Sequence, residues 1–386
     1  MSGFNIDRRS LFLGAGMLPL IGSTAMAATP KAEGQPLPGR FDMPDPPAKR
    51  MNWAVVGLGT FAVGQMMPGF VASSHAKMTA FVSGSPQKAH DLGAAYGVSK
   101  FYDYNNFDQI ANDKDIDCVY IALPVGLHAE YTIRALKAGK HVLCEKPMAS
   151  TVAECEAMVA AAKAANKQLG VAYRVHFEPN NMNAIQRLRD GEIGDLRYFS
   201  GETGFVVNPS YPPHKWRLEK GLGGGGSMYD IGIYALNAAL WAVNEAPTSV
   251  TAVYSMPAND PRFKEVEGGV DWRLRFPSGI SAQGSSSYCW TYATRQKFFA
   301  TKGSISMDPA SEYNQITTIL QRDGMPPANI NSGSPTVQFS AQIDAFCVAA
   351  AANKPHRTPG EMGLRDIRII QAMYQSADAD GQIVKL

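Results

Sequence analysis

Asp230 and Tyr234, four positions apart, and Lys146 far upstream are the side chains of this sequence best suited to moving a proton. The first two stand in Ser227-Met-Tyr-Asp230-Ile-Gly-Ile-Tyr234, directly behind the glycine run 223–226. If Ile231-Gly-Ile-Tyr234 begins a helix, residues four apart share one face, so a carboxylate and a phenol point into the same cleft. An ordinary tyrosine ionises near pH ~10 and acts as a base only where a neighbouring ammonium group favours the phenolate. Lys146, in Cys144-Glu145-Lys146-Pro147 at the end of an apolar strand, is the candidate ammonium. By themselves these residues read better as a surface ion pair (Glu145, Lys146), a core aromatic (Tyr234) and a helix cap behind glycines (Asp230).

A second constellation can bind a phosphate. Trp53-Ala-Val-Val-Gly57-Leu58-Gly59-Thr60-Phe61-Ala62 reads as a buried strand entering a glycine turn and then a helix. That geometry sets a pyrophosphate on backbone N–H groups at a helix N-terminus. A site for NAD usually carries an acidic residue about 20 positions on, to hold the ribose 2′-hydroxyl. Here the end of the second strand reads Phe81-Val-Ser83-Gly-Ser-Pro-Gln-Lys88, without an acid. A hydroxyl and a lysine suit a 2′-phosphate instead, and the expected cofactor is NADP. Taken singly, Ser83 is a turn residue and Lys88 a solvated helix residue. The third stretch, Leu123-Pro124-Val-Gly-Leu-His128, ends another strand at the edge where open sheets bind ligands, and there His128 caps or lines the cleft.

The elements that must position these groups follow from the periodicity. Strands are expected at 51–57, 78–83, 117–123, 140–145 and 169–173, with Ala-rich helical segments at 87–97, 127–138 and 151–167 between them. This alternation predicts a doubly wound parallel sheet, with Pro68 kinking or ending the first helix early. Beyond residue 173 the pattern turns β-rich at 196–207, 248–256, 268–276, 280–287, 296–307 and 316–321, which suggests a largely antiparallel sheet. A loop at 323–337 and helices at 340–352 and 361–377 close the chain.

With 386 residues, 45% hydrophobic and 18% charged, the chain buries a core of two domains or slightly more. A net charge of +2 without a long basic run excludes nucleic acid as a partner. Cys118, Cys144, Cys155, Cys289 and Cys347 are odd in number and irregularly spaced, and read as reduced core thiols; no metal set is expected.

The N-terminus reads as an export signal. Asp7-Arg8-Arg9-Ser-Leu-Phe-Leu13 opens an apolar run to Ile21, and Ala25-Met-Ala27 offers a cleavage site before Ala28. The twin arginine resembles a Tat signal, which carries proteins across already folded. The run is too short to span a bilayer, so a periplasmic mature protein with no membrane attachment is expected, the Tat machinery being its export partner. Residues 28–50, with prolines at 30, 36, 38, 44, 46 and 47, read as an extended arm.

In combination and in this order, Gly57-x-Gly59-x-x-Ala62, Pro124-x-x-x-His128, Glu145-Lys146-Pro147 and 223–234 resemble the glucose-fructose oxidoreductase/inositol dehydrogenase family over nearly the whole chain. Val82-Ser83-Gly84, Tyr102-Asp-Tyr104, Trp216-Arg217-Leu218 and Met307-Asp-Pro-Ala310 add to the likeness. The resemblance implies an N-terminal Rossmann domain at 51–172 and a C-terminal α+β domain at 173–386, whose large open sheet pairs subunits into a dimer or tetramer. It further implies that Lys146, Asp230 and Tyr234 are catalytic, with Asp230 orienting the sugar or the lysine. The cofactor would lie against residues 57–62 (Leu58, Thr60 and Phe61 included), Ser83, Lys88, Tyr104, Leu123, Pro124, His128, Glu145, Lys146, Arg174, Trp216, Arg217 and Tyr313. Val125 departs from the family's Pro-Asn-x-x-His, which removes one hydrogen bond to the cofactor. The activity implied is that of a sugar oxidoreductase with tightly bound NADP, oxidising an aldose at C1 to a lactone and reducing a second sugar to an alditol. An aldose dehydrogenase with a dissociable cofactor, a redox-assisted glycosidase and a non-catalytic binding protein are the other readings.

Overall fold

The computed structural model describes Pro47 and residues 49–386; the export signal at 1–27 and almost all of the arm at 28–50 lie outside the described residues. The chain then lays down β1 (Met51–Val56), α1 (Met67–Ala72), β2 (Ala76–Val82), α2 (Pro86–Tyr96), β3 (Lys100–Tyr102), β4 (Cys118–Ile121), α3 (His128–Lys137), β5 (His141–Cys144), α4 (Val152–Ala165) and β6 (Leu169–Val171). These strands form one parallel sheet in the order β3-β2-β1-β4-β5-β6, the doubly wound arrangement the periodicity predicts. Strand β3, three residues long, carries too little periodicity to be read beforehand.

Pro68 does not break the first helix. Residues 60–72 are helical throughout, with a π-turn over Ala62–Met66 just ahead of the proline. The Met67 N–H donates to the Ala62 carbonyl, so the wider turn accommodates a ring that an α-turn would force against the carbonyl four residues back.

Short connections and α5 (Pro179–Arg189) lead into the second part. It comprises β7 (Leu196–Gly204), the short helices α6 (Pro212–Lys215) and α7 (Lys220–Gly223), α8 (Ile233–Val243), β8 (Ser249–Tyr254), β9 (Gly269–Arg275), β10 (Ser281–Ser287), β11 (Ala293–Ala300), β12 (Gly303–Met307), β13 (Thr318–Arg322) and β14 (Ala328–Asn329). Helices α9 (Gln338–Ala351) and α10 (Gly360–Asp378) and strand β15 (Val384–Lys385) follow. The nine strands run β14-β13-β12-β11-β7-β10-β9-β8-β15, antiparallel except for the β7–β10 pair. The expected strand over 296–307 is in fact the hairpin β11–β12, reversed at Thr301-Lys302.

The two parts share one fabric. Helix α9, late in the chain, packs on the first sheet: Phe346 meets Trp53 at 5.3 Å between ring centroids, and Trp53 meets Phe70 at the same separation. Asp344 on α9 accepts a hydrogen bond from the Ser73 hydroxyl and another from the His75 N–H at 3.0 Å. Trp53 and Phe346 are fully buried, and each such side chain contributes about 2–3 kcal/mol of burial. Cys118, Cys144, Cys155 and Cys347 are buried free thiols, Cys289 is half-buried, and burial pushes the Cys118 and Cys144 thiols up. Among the described residues no helix is long and apolar enough to cross a membrane.

Candidate active site

The glycine turn leaves β1 in a conformation only glycine tolerates. Gly57 has φ +91°, and a Cβ there would lie 2.4 Å from the Ala122 carbonyl oxygen. At Gly59 the surroundings are open, with nothing within 4 Å of a Cβ, and helix begins at Thr60. An uncluttered backbone at a helix N-terminus fits a dinucleotide pyrophosphate. The neighbouring β2 end fits a further phosphate. Ser85 caps α2, whose first turn holds no acid, while Ser83 is 6% exposed and Lys88 is exposed in that first turn. Tyr104 packs beneath Gly84, whose Cβ would sit 3.2 Å from its ring. This rim adjoins the glycine turn through the Gly57 N–H, which donates to the Val82 carbonyl at 3.0 Å.

From the turn a cleft of about 560 Å³ opens over the carboxyl ends of β4 and β5 and under the second sheet. Gly59, Thr60, Phe61, Leu123, Pro124, Glu145, Lys146, Arg174, Trp216, Arg217, Asp230, Tyr234 and Tyr313 line it together, whereas Ser83, Lys88 and Tyr104 lie outside its lining on the rim. Helix begins at Ser227 rather than at Ile231 and opens with a π-turn over Met228–Gly232, so Asp230 sits within it, one turn ahead of Tyr234.

Asp230 is the electrostatic centre. Its Oδ2 accepts the Arg217 Nε–H at 2.7 Å and the Tyr288 hydroxyl at 2.9 Å, and its Oδ1 lies 3.7 Å from Lys146 Nζ. Burial opposes ionisation of this carboxyl, but the Arg217 and Lys146 charges with those hydrogen bonds outweigh it and hold its pKa at about 2. Lys146 also donates to the Asp230 carbonyl at 2.5 Å and stands 4.8 Å from the centre of the Tyr234 ring. The Arg174 guanidinium approaches the same ring at 4.9 Å and the Tyr313 ring at 4.4 Å.

Arg174 is 5% exposed and committed to protein groups, donating to Gln338 Oε1 at 2.5 Å and to the Ser311 carbonyl at 2.6 Å. It thereby ties the end of β6 to the loop after β12. His128, 1% exposed, is likewise taken up by the cleft wall: Nδ1 lies 2.9 Å from the Pro147 carbonyl and Nε2 2.8 Å from that of Leu123. Burial holds this histidine below its ordinary pKa, against the pull of the two carbonyls, which favour the charged ring. Glu145 accepts the Tyr120 hydroxyl at 2.6 Å, and burial pushes its carboxyl up. Val125 is buried in the wall beside them.

Two contributors escaped the sequence. Tyr288, just past β10, is fixed on Asp230 from 58 positions away. Glu267 caps the helix of Asp230, accepting the N–H groups of Gly226 at 2.7 Å and Met228 at 2.9 Å. Burial raises the Glu267 carboxyl. The one local signal was Gly226, where a Cβ would lie 1.9 Å from the Glu267 carbonyl oxygen.

Comparison with known proteins agrees with this layout. Residues 51–173 match the model described as "Oxidoreductase family, NAD-binding Rossmann fold", and residues 182–306 match the GFO/IDH/MocA C-terminal domain. The crystal structure of an aldose-aldose oxidoreductase from Caulobacter crescentus, complexed with glycerol, is 41% identical with a TM-score of 0.84, over 88% of this chain and 100% of that one. D-xylose 1-dehydrogenase [NADP(+)] of Haloarcula marismortui is 27% identical over 337 residues, 86% of this chain and 92% of its own. The 1,5-anhydro-D-fructose reductase of Ensifer adhaerens is 27% identical over 346 residues, 87% of this chain and 98% of its own. With both domains matched in order and a relative at 41% identity aligned along its whole length, the chain belongs to the GFO/IDH/MocA family of oxidoreductases.

Proposed function

We propose that the protein is a periplasmic, NADP-dependent sugar oxidoreductase that oxidises an aldose at C1 and passes the reducing equivalents to a second sugar. The observation that carries this reading is the convergence of Lys146, Asp230 and Tyr234 in one cleft beside the glycine turn. The three relatives described above are by name sugar dehydrogenases, reductases or oxidoreductases, which supports the substrate class.

NADP, when bound, supplies the hydride acceptor and, once reduced, the donor. Residues 57–62 hold the pyrophosphate, Ser83 and Lys88 the 2′-phosphate, and Tyr104, Trp216 and Arg217 flank the rest. Tyr234 takes the proton of the C1 hydroxyl, with the positive charges of Lys146 and Arg174 beside its ring. Asp230, ionised across the working range, accepts from a sugar hydroxyl and holds Lys146 in place. The aldose leaves as a lactone; the second sugar then occupies the same cleft, receives the proton from Tyr234 and leaves as an alditol.

A signal of Tat type at the N-terminus supports export, and a periplasm without a soluble nicotinamide pool favours a cofactor that stays bound through both halves. The open face of the nine-stranded sheet suits pairing with another subunit, as a dimer or tetramer. The absorbance of purified protein before and after adding glucose, xylose or fructose tests the scheme. Protein that carries no nicotinamide, and shows no reduced-cofactor band with any aldose even after NADP is supplied, ends it.

A further inference from the structure

Four tyrosines line the cleft, and three have assigned work. Tyr288 donates to Asp230, the Tyr292 hydroxyl is engaged by Glu312, and Tyr234 is the proposed base. Tyr313 remains. Its backbone is pinned in the loop after β12, where Gln338 Nε2 donates to the carbonyls of Glu312 at 3.1 Å and Tyr313 at 3.0 Å. Its ring is pinned by the Arg174 guanidinium at 4.4 Å, by Phe339 at 5.7 Å and by Phe61 at 6.3 Å. Burial raises its phenol above the ordinary value, with the charges of Glu145 and Asp230 adding to that against Arg174, so Tyr313 stays protonated and keeps a hydrogen to donate.

Tyr234 and Tyr313 share one guanidinium, 4.9 and 4.4 Å from their ring centres, and both line the same cleft. The carbon whose hydroxyl meets Tyr234 has two ring neighbours of opposite character. One is the ring oxygen, which can only accept; the other carbon carries a hydroxyl, which can donate. Among the described residues lining the cleft, Lys146, Arg174 and Arg217 already donate to protein acceptors, no hydrogen bond takes up the Tyr313 hydroxyl, and the ionised Asp230 is an acceptor beside them. Resting on the sugar-oxidoreductase reading above, we propose that Tyr313 donates to the ring oxygen while Asp230 accepts from the adjacent hydroxyl. The cleft thereby selects cyclic hemiacetals over carbocyclic polyols of the same size.

Tyr313→Phe keeps the ring contacts with Arg174, Phe61 and Phe339 and removes only the donor. The holoenzyme and this variant are compared with glucose and 2-deoxyglucose as substrates and myo-inositol, which lacks a ring oxygen, as competitor. The variant should raise KM for glucose about 10-fold with a smaller change in kcat, as expected for one lost neutral hydrogen bond. The inhibition constant of myo-inositol should hardly move, and the preference for glucose over 2-deoxyglucose, which reads the Asp230 side, should persist. Equal weakening of glucose and myo-inositol, an unchanged glucose KM, or loss of bound NADP from the variant would overturn the assignment while leaving the sugar reading standing. A wild-type holoenzyme that turns over no sugar refutes the reading itself, and this inference with it.

Discussion

The Nε–H of Arg217 and Oδ2 of Asp230 meet at 2.7 Å, joining the irregular segment between β7 and α8 to the helix that carries Tyr234. With Lys146 and Tyr288 the bond keeps Asp230 ionised down to about pH 2, and the loss of that charge should be legible in acid. A carboxyl at about 2 in the folded protein, against ~3.9 unfolded, contributes stability that is complete above pH ~4 and is lost as pH falls towards 2. Asp230→Asn should remove that slope, so unfolding free energies from urea titrations between pH 5 and 2 should fall more steeply for wild type, by roughly 2 kcal/mol in total. Parallel curves would show that Arg217 and Lys146 do not hold the charge.

Tyr234→Phe leaves the ring between Lys146 and Arg174 and deletes only the hydroxyl. Turnover should fall about 1,000-fold with NADP content and melting temperature unchanged. Activity within a few-fold of wild type would assign the proton to another group.

The two glycines of the turn should fail differently. In Gly57→Ala the added methyl meets the Ala122 carbonyl oxygen at 2.4 Å in a left-handed conformation, so the apoprotein itself should melt several degrees lower. Gly59→Ala meets nothing, and its apoprotein should melt as wild type does, while NADP binds about 10-fold more weakly because the methyl stands where the phosphate approaches. Calorimetry of the stripped proteins with NADP titration separates the two.

Ser83→Asp places a carboxylate at the end of β2 beside the rim that Lys88 shares. The ratio of affinities for NADP over NAD should drop about 100-fold, because the new charge repels a 2′-phosphate and accepts from a 2′-hydroxyl. An unaltered ratio would move the 2′-phosphate site elsewhere.

What the sequence disclosed was what neighbours in the chain decide among themselves. The glycine turn and the strand ends of the first sheet depend on a few adjacent residues, and those strand boundaries stand within a residue or two of expectation. Pairings across long separations were silent: Glu267 with Gly226, Tyr288 with Asp230, and the parallel β7–β10 match. Helix α5 was hidden for a related reason. Its Asn180, Asn181 and Asn183 are buried and break the apolar period, because they bond to Gly333, Ala310 and Ile330 far along the chain. The presence of Arg174 at the cleft was foreseen, but Gln338 and Ser311, which decide where its guanidinium can reach, were not.

Helix α9 gives the molecule an order of assembly. Trp53, near the start of the described chain and packed against Phe70, rests on Phe346 near its end, and Ser73 and His75 are anchored by Asp344. A nascent polypeptide therefore cannot finish its nucleotide-binding half until residues 338–351 have left the ribosome. The halves cannot be severed and made as separate modules either, since the first alone would show solvent the aromatic wall that α9 covers.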